Sequence, residues 1–429
     1  MLLNSNFINQ LLKWKEFMEK AKAFIIPRSL VLEAYKLVAA NKGAGGVDNE
    51  TLSSFETKLE DNLFKIWNRL SSGSYLPPAV KAVSIPKRNG GARILGIPTI
   101  GDRVAQMAVR LSFEPLVEPH FLPDSYGYRP GKSAHHALAI TRKRCWNYDW
   151  ILEFDIKGLF DNISHELLMK AVVKHTDCKW HLLYIERWLK APLQLETGEI
   201  IARTKGTPQG GVISPVLANL FLHYTFDMWM KKNYPSLPWC RYADDGLIHA
   251  TSQRQAEFMR ENLAKRLKEC ELELHPEKTK IVYCGGNRRV DKESSFDFLG
   301  YTFRKRGARG KDGKLFTGFL PGVSKSALIS MRAQIRKSAI RNKTYLSIQE
   351  ISKEFNPILR GWQNYYGKFY ASALYPIWRH FNVTLRNWVQ KKYKRVGSKK
   401  RAILMLLKIA NQNPKLFIHW EKGIGKSFV

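Results

Sequence analysis

The spacing of hydrophobic and polar residues predicts a chain in which helices surround a central group of strands. Apolar residues recur at helical intervals over residues 7–17, 29–40, 51–76, 102–117, 133–147, 216–231, 252–271 and much of 325–429. Short apolar runs around turn residues predict β-hairpins over residues 80–98, 195–205, 239–249 and 296–303. This mixture of elements predicts an α+β fold.

Three stretches fall outside this periodicity. Residues 205–215 contain three glycines and two prolines, which predicts a shaped loop whose Gly210 and Gly211 let the backbone approach a ligand. Residues 304–314 carry six cations and one acid, a composition typical of a solvated loop at a domain boundary. Residues 391–401 carry seven cations and no acid.

The charge balance points to a polyanionic partner. The chain has 429 residues with 70 Lys and Arg against 37 Asp and Glu, a formal net charge of +33. Nucleic acid is the first interpretation and an acidic membrane surface is the second. The 12 Trp, 17 Tyr and 22 Phe supply stacking surfaces, which favours RNA or single strands. We therefore expect binding that weakens steeply with salt.

The cysteines and the apolar runs restrict the location of the protein. Five cysteines are scattered without a C-x-x-C pair, so we expect neither a zinc site nor a disulfide framework. No apolar run approaches the ~20 residues of a membrane span, and the N-terminus does not resemble a signal peptide. These features predict a protein of the cytoplasm, in bacteria by preference, that has no membrane partner.

Acidic residues mark the candidate chemistry. Asp155 ends an apolar strand, while Asp244 and Asp245 lie in the hairpin over residues 239–249. The hairpin alone is most simply a turn, but two strands that bring carboxylates to one sheet edge would make a site for Mg²⁺. Two such ions about 3.5–4 Å apart clamp the attacking and leaving oxygens of a phosphoryl transfer.

The hairpin over residues 80–98 presents Lys87, Arg88 and Arg93. By itself it is most simply a solvated basic hairpin. Beside a carboxylate site that binds metal, it becomes a candidate clamp for a triphosphate.

Five motifs in order carry a family resemblance. They are Phe-Asp at 154–155 with Phe-Asp at 160–161, Thr-Pro-Gln-Gly-Gly-Val-Ile-Ser-Pro at 207–215, Tyr-Ala-Asp-Asp at 242–245, the stretch 274–280 with Lys278, and Phe-Leu-Gly-Tyr at 298–301. Together they resemble reverse transcriptases, most closely group II intron reverse transcriptase–maturases. Residues 41–48 resemble the N-terminal extension of that family, and residues 361–366 resemble its maturase-specific thumb.

The resemblance implies a right-hand polymerase, with fingers and a palm built on an antiparallel sheet, followed by an α-helical thumb or maturase domain. The implied divisions are 1–76 for the N-terminal extension and start of the fingers, 77–303 for fingers and palm, 304–324 for a basic linker, 325–405 for the thumb, and 406–429 for a basic C-terminal segment. Because many relatives continue into a Cys/His-rich nuclease domain that has no counterpart here, we expect no endonuclease activity.

The resemblance also implies residue roles. Asp155, Asp244 and Asp245 would be catalytic and hold two Mg²⁺ ions, with Mn²⁺ as a substitute. The implied nucleotide-binding residues are Lys87, Arg93, Phe160, Gln209 and Lys278. The implied template- and primer-binding residues are Gly210, Leu299, Gly300 and Tyr301.

The expected function is RNA-directed DNA synthesis, in which dNTPs are added to a DNA or RNA primer on an RNA template. Maturase capacity is a further expected activity, and intron RNA is a further expected partner. The oligomeric state stays open. Three alternatives remain: a domesticated enzyme of DNA repair, phage defence or a CRISPR system, a splicing maturase with an idle polymerase, and a generic basic RNA-binding protein.

Overall fold

The structure is a computed structural model that describes residues 22–86, 92–285, 294–309, 313–421 and 423. The helix predicted over residues 7–17 lies outside this range, as do Lys87 and Arg88. The helices are α1 (Arg28–Ala40), α2 (Leu52–Glu56), α3 (Leu59–Ser72), α4 (Ile100–Val117), α5 (Ala134–Arg144), α6 (Leu159–Asn162), α7 (His165–Val173), α8 (Lys179–Lys190), α9 (Ser214–Leu222), α10 (Met228–Asn233), α11 (Gln253–Glu269), α12 (Lys325–Lys337), α13 (Ile348–Tyr370), α14 (Tyr375–Lys392) and α15 (Lys399–Gln412).

The strands form three sheets. They are β1 (Val80–Pro86), β2 (Ala92–Ile97), β3 (Trp150–Asp155), β4 (Leu193–Gln194), β5 (Ile200–Ile201), β6 (Trp239–Tyr242), β7 (Asp245–Ala250), β8 (Lys280–Tyr283), β9 (Ser295–Phe298), β10 (Tyr301–Arg309) and β11 (Leu315–Val323). The strand orders are β2-β1-β4-β5, β6-β7-β3-β8 and β11-β10-β9. Most pairs are antiparallel, as predicted, whereas β1 and β4 run parallel.

The chain divides into two compact units. The first comprises residues 1–133, 154–247 and 257–279, and the second comprises residues 134–153, 248–256 and 280–429. Among the helices of the described residues, none is both long and apolar enough to cross a lipid bilayer.

In the first unit, α4 is a largely buried helix. Its N-terminus is capped by Thr99, whose hydroxyl accepts a hydrogen bond from the Asp102 backbone. The single helix predicted over residues 51–76 is instead two helices, α2 and α3. The second of these ends at Ser72, earlier than predicted, because Gly73 adopts a left-handed φ of 77°.

In the second unit, β10 and β11 form a long antiparallel hairpin that pairs Tyr301 with Val323 and Arg309 with Leu315. Residues 304–309 and 315–323 therefore lie in strands, whereas a solvated loop was expected over residues 304–314. The division of residues 304–324 as a linker stays a prediction. The charge run misled because Arg304, Lys305 and Arg306 are consecutive and are followed by Gly and Ala, so this strand shows no alternation of apolar and polar residues.

The helices of the second unit share one apolar core. Helix α13 begins with a capping box between Ser347 and Glu350. The core includes Phe355, Phe381 and Trp388 and also reaches beyond residue 405, where Phe417 and Trp420 are buried. Much of the segment predicted as a basic C-terminal extension therefore packs with the thumb helices. Domain boundaries nevertheless stay predictions.

Candidate active site

The acidic hairpin is built on a tight turn. Strands β6 and β7 are joined by Ala243 and Asp244, and Ala243 takes a left-handed φ of 56°. The Asp-Gly pair that predicted the turn lies in β7 instead. Gly246 is required there for another reason, since a Cβ atom would overlap the ring of Phe154, a buried residue of β3. The glycine thus allows the strand that carries Asp155 to pack closely against the hairpin.

The three predicted carboxylates lie close enough for their charges to interact. Asp155 is buried at the end of β3. The Asp245 side chain reaches solvent but is crowded by protein. This desolvation, followed by the charges of Asp244 and Asp155, raises its pKa to about 7. Desolvation also raises the pKa of Asp244, with a further contribution from Asp155. The cluster therefore carries unfavourable negative charge that a cation would neutralise.

Lys278 supplies one positive charge to this cluster. Its ammonium donates a hydrogen bond to Asp155 Oδ2, and this bond is the main reason that the pKa of Lys278 is raised. The preceding segment is fixed to the strand, because the His275 N–H donates to the Asp155 carbonyl at 2.8 Å. The structure thus brings together four of the predicted site residues.

The donor set fits a divalent metal ion. Three carboxylates offer the oxygen ligands that Mg²⁺ takes, and their mutual repulsion is what a bound cation relieves. In the part of the chain that the structure describes, no group of three or more His, Cys, Asp or Glu residues is already arranged as a ligand set. The hydrogen bond from the Lys278 ammonium to Asp155 Oδ2 is consistent with this absence, because it occupies one of the carboxylate oxygens that would bind a metal ion.

A buried arginine stabilises the acidic turn through hydrogen bonds. Arg241 is 0% exposed and forms a bidentate ion pair with Asp227 at 2.8 and 2.7 Å. It also donates to the Asn219 side chain and the Ala243 carbonyl, both at 3.1 Å, and to Ser125 Oγ at 2.8 Å. Burial alone would raise the pKa of Asp227, but the guanidinium holds it below its usual value. The sequence interpretation missed this network, whose only signal is an arginine inside an apolar strand.

The glycine-rich loop is attached to the basic hairpin. The Gly96 N–H donates to the Gln209 carbonyl at 2.9 Å, and Arg93 donates from Nε to the Gln209 side chain. Gly210 has a φ of 130°, and a Cβ atom there would overlap the Gly96 carbonyl oxygen. Arg93, Gln209 and Gly210, predicted from separate motifs, therefore lie together.

Two further anchors hold the same loop. Gln106 Oε1 accepts from the Val212 N–H at 2.8 Å, and Gln106 Nε2 donates to Asp102 at 2.9 Å. Asp102 is buried and also accepts from Tyr75 and Trp188 at 2.8 and 2.7 Å. Burial raises the pKa of Asp102 although these three donors oppose the shift. This buried network was not predicted from the sequence.

Phe160 contributes through its backbone as well as its ring. The ring is 7% exposed on α6, and the Phe160 carbonyl accepts from the Thr207 N–H at 2.6 Å. Phe160 therefore borders the glycine-rich loop. Its implied contact with a sugar stays a prediction.

Tyr128 is a site residue that the sequence interpretation did not single out. Its φ of 56° is unusual for a residue with a side chain. Burial raises its pKa, with a further contribution from the charge of Asp244, while Arg93 acts in the opposite direction. Tyr128 and Arg93 thus both lie within electrostatic range of the acidic turn. Lys87, the other predicted clamp residue, is outside the described residues.

The predicted primer-binding residues form a turn in the second unit. Leu299 and Gly300 connect β9 and β10 with φ values of 52° and 77°, as a two-residue hairpin turn requires. Tyr365 on α13 donates from its hydroxyl to the Leu299 carbonyl at 2.9 Å, and Tyr301 donates to the Tyr365 carbonyl. The aromatic residues of the predicted thumb motif therefore hold this turn on α13.

Comparison with known proteins agrees with these observations. Residues 85–303 match the family described as reverse transcriptase (RNA-dependent DNA polymerase), and residues 328–405 match the group II intron maturase-specific domain. Protein YkfC from Escherichia coli is 32% identical over 62% of this chain and 81% of its own. The group II intron-encoded protein LtrA from Lactococcus lactis is 31% identical over 80% of this chain and 69% of its own.

A more distant likeness is to a telomerase from Candida albicans, with a TM-score of 0.43 and 13% identity over 87% of this chain and 67% of that one. This likeness is too weak to support an inference. The predicted fold class and enzyme class are confirmed by the family matches. The chain belongs to the reverse transcriptase family and combines an RNA-directed DNA polymerase domain with a group II intron maturase-specific domain.

Proposed function

We propose that the cluster of Asp155, Asp244 and Asp245 is the polymerase site and holds two Mg²⁺ ions, for which Mn²⁺ substitutes. Enzymes of this family generally use a divalent metal ion. The observation that carries the proposal is geometric: Asp155 ends β3, which neighbours β7 in the sheet, and Asp244 and Asp245 lie where β7 begins, within electrostatic range of Asp155. When bound, such ions lower the pKa of an attacking hydroxyl and neutralise a departing pyrophosphate.

The surrounding residues have distinct proposed roles. Arg93 and Lys87 bind the triphosphate of the incoming dNTP, and Gln209 positions it against the template base. Arg93 already donates to Gln209, so these two side chains act as one surface. Phe160 borders the loop that carries Gln209 and excludes a 2′-hydroxyl.

Lys278 is the proposed proton donor to pyrophosphate. A lysine ammonium is protonated at neutral pH, as a donor requires, and its hydrogen bond to Asp155 raises its pKa further. The ammonium would leave Asp155 Oδ2 when that carboxylate binds a metal ion. Lys278→Arg keeps the charge but holds its proton more tightly, so we expect its extension rate to fall while primer–template affinity is retained.

The partners of the second unit are RNA. The maturase-specific match and the likeness to an intron-encoded protein support intron RNA as one ligand. Leu299, Gly300 and Tyr301 form the proposed primer contact, and Gly210 the template contact. We further propose that the chain acts in the cytoplasm, where its scattered cysteines would stay reduced.

The test of the site is primer extension on an RNA template. Asp244→Asn keeps the shape of the side chain but removes one negative charge, so we expect Mg²⁺-dependent extension to fall by at least about 10³-fold. RNA affinity should stay unchanged, because the variant keeps all the positively charged residues that could bind phosphates. Asp61→Asn, an exposed carboxylate in the first turn of α3, is the control and should extend normally. Extension by Asp244→Asn at the wild-type rate would contradict the assignment.

The idle-polymerase alternative makes a different prediction in the same assay. Such a protein would bind RNA and fail to extend a primer even before mutation. The uninterrupted set of Asp155, Asp244, Asp245 and Lys278 favours an active enzyme.

A further inference from the structure

The second unit contains a cavity that the polymerase chemistry does not use. It has a volume of about 380 Å³ and lies between the end of α12, the turn that follows, and the middle of α14. All its lining residues fall within the range that matches the maturase-specific domain. A volume of a few hundred Å³ suits a small organic group and is far too small for a duplex.

The cavity has an apolar floor. Ile335 and Ile340 are buried beneath it, and Val383 lines one wall. Such surfaces accept the flat face of a base or another small apolar group. They would not attract a phosphate without further groups.

The rim of the cavity is cationic and polar. Arg336 and Arg341 are exposed at the cavity, and no acidic residue lines it. Thr384 and Asn387 add hydrogen-bonding groups from α14. An apolar floor beneath a rim of cations and amide or hydroxyl groups is complementary to a nucleotide, which has a flat base and a charged phosphate.

The turn that forms the cavity is held rigidly. Ala339 adopts a left-handed φ of 51°, a conformation that costs free energy unless the surroundings enforce it. Lys391 donates to Asn342 Oδ1 at 2.9 Å, and Trp388 Nε1 donates to the Lys343 carbonyl at 2.9 Å. Helix α14 thus fixes the turn from its far end, and the cavity is formed in advance of any ligand.

His380 adds a neutral group to this lining. Burial lowers its pKa, and the nearby Arg332 and Arg336 lower it further. Its Nε2 atom is shielded from solvent and has no hydrogen-bond partner among the described residues. A neutral imidazole beside two arginines suits a polar edge of a base better than a second phosphate.

We propose that this cavity takes up one unstacked nucleotide of single-stranded or bulged RNA, with its phosphate at Arg336 and Arg341 and its base against Ile340 and Val383. The inference rests on the proposal that the second unit binds RNA. It adds where on that unit the RNA binds and that the bound nucleotide is unstacked. Single-stranded loops and bulges are where proteins read splayed bases.

The experiment separates filling of the cavity from loss of charge. Val383→Trp fills the cavity and keeps the charge, and Thr384→Met is a milder filling variant if the first does not fold. Arg336→Gln/Arg341→Gln removes two cations at the rim. The matched control is Lys399→Gln/Arg401→Gln, which removes two exposed cations of α15 outside the lining.

The probes are a fluorescein-labelled 20-nucleotide single-stranded RNA, the same sequence as a duplex, and AMP as a free nucleotide. We expect either filling variant to weaken binding of the single strand by about tenfold without changing the salt slope. Both double variants should reduce the salt slope by about 1.4, since each phosphate contact contributes about 0.7 for single strands. Of these two, only the rim variant should reduce crosslinking at the cavity.

A second measurement locates the base. RNA containing 4-thiouridine should crosslink to peptides spanning residues 335–342 or 380–387, and filling should abolish those crosslinks. The proposal would be overturned if the filling variants bound RNA with wild-type affinity. It would also be overturned if crosslinks formed only elsewhere, or if RNA did not displace bound AMP. Primer extension on a short primer–template should remain normal in every folded variant. Failure of the polymerase proposal would therefore appear in the primer-extension assay, separately from the RNA-binding and crosslinking results.

Discussion

At the scale of single residues, the support of the acidic turn depends on Arg241. A guanidinium has five N–H donors, and here all five are used: two on Asp227 and one each on Asn219, Ala243 and Ser125. The acceptor on Ala243 belongs to the residue with left-handed backbone conformation next to Asp244. Arg241 is thus a positioning residue for the turn that presents the carboxylates.

Removal of Arg241 separates stability from activity. Arg241→Ala leaves the buried Asp227 carboxylate without its guanidinium partner and with only His223 Nδ1, 3.8 Å away, as a nearby cation among the described residues, so we expect the free energy of unfolding to fall by about 3 kcal/mol. The pair Arg241→Met/Asp227→Leu removes both charges and should recover most of that loss. It leaves the Ala243 carbonyl without its donor, so kcat should remain about fivefold low, because a lost hydrogen bond is worth about 1 kcal/mol and that energy corresponds to roughly a factor of five in rate. Urea unfolding and primer extension measure the two effects. A double variant with wild-type kcat would contradict the positioning role.

At the scale of elements, the glycine-rich loop and the β1–β2 hairpin meet through backbone groups. Gly210 approaches the Gly96 carbonyl so closely that no side chain fits between them. Gly198, at the tip of the β4–β5 hairpin, also has a positive φ of 90° but has nothing within 4 Å of the position of a Cβ. The two glycines therefore both have a positive φ and differ in their surroundings.

This pair of glycines provides a matched test of the loop contact. Both Gly→Ala changes incur the strain of a positive φ, about 1–2 kcal/mol. Gly210→Ala must also push the loop away from β2, so we expect the KM for dNTP to rise about tenfold or more, because a small misplacement at a site is costly. Gly198→Ala should leave KM and kcat unchanged. Steady-state extension at varied dNTP concentration measures both, and equal KM values for the two variants would show that the loop contact does not matter.

The elements also show what sequence patterns can predict. Hairpins with strong alternation, such as β1–β2 and β6–β7, were predicted because period-two patterns and turn residues reflect local preferences. The left-handed residues Ala243, Tyr128 and Leu299 were not, since only tertiary contacts hold such residues in that conformation. The three carboxylates proposed as catalytic were found because they lie at the end of an apolar strand and in a hairpin, and because the family motifs include them. Their supports, Gln106 and Arg241, lie outside any motif and depend on partners distant in sequence.

At the scale of the whole molecule, three buried histidines connect stability to pH. Burial lowers the pKa of His181 to about 4 and that of His249 to about 3, with Arg144 adding to the second shift. Burial also lowers the pKa of His419 to about 3. Because each histidine binds a proton more readily when unfolded, stability is full above pH ~6.5 and falls as the pH drops. The raised pKa values of Asp102 and Asp245 act in the opposite direction.

His419 is the best placed of the three for a test. It is buried against Trp378 and donates from Nε2 to Asn382 Oδ1 at 2.7 Å, an oxygen that also accepts from Trp420 at 3.1 Å. Glutamine has an N–H donor for the same acceptor but takes up no proton in this range. His419→Gln therefore removes the titration while retaining a donor for the bond.

We expect acid to destabilise the wild-type protein more than His419→Gln. Between pH 6.5 and pH 5, one histidine contributes about 1.4 kcal/mol per pH unit, so the variants should diverge by about 2 kcal/mol. Urea unfolding at pH 7.5, 6.5, 5.5 and 5.0 measures this difference directly. His136→Gln, at an exposed position on α5, is the control and should follow the wild type. Parallel curves for wild type and His419→Gln would mean that the pKa of His419 is the same in the folded and unfolded protein, which its buried contacts with Trp378 and Asn382 do not favour.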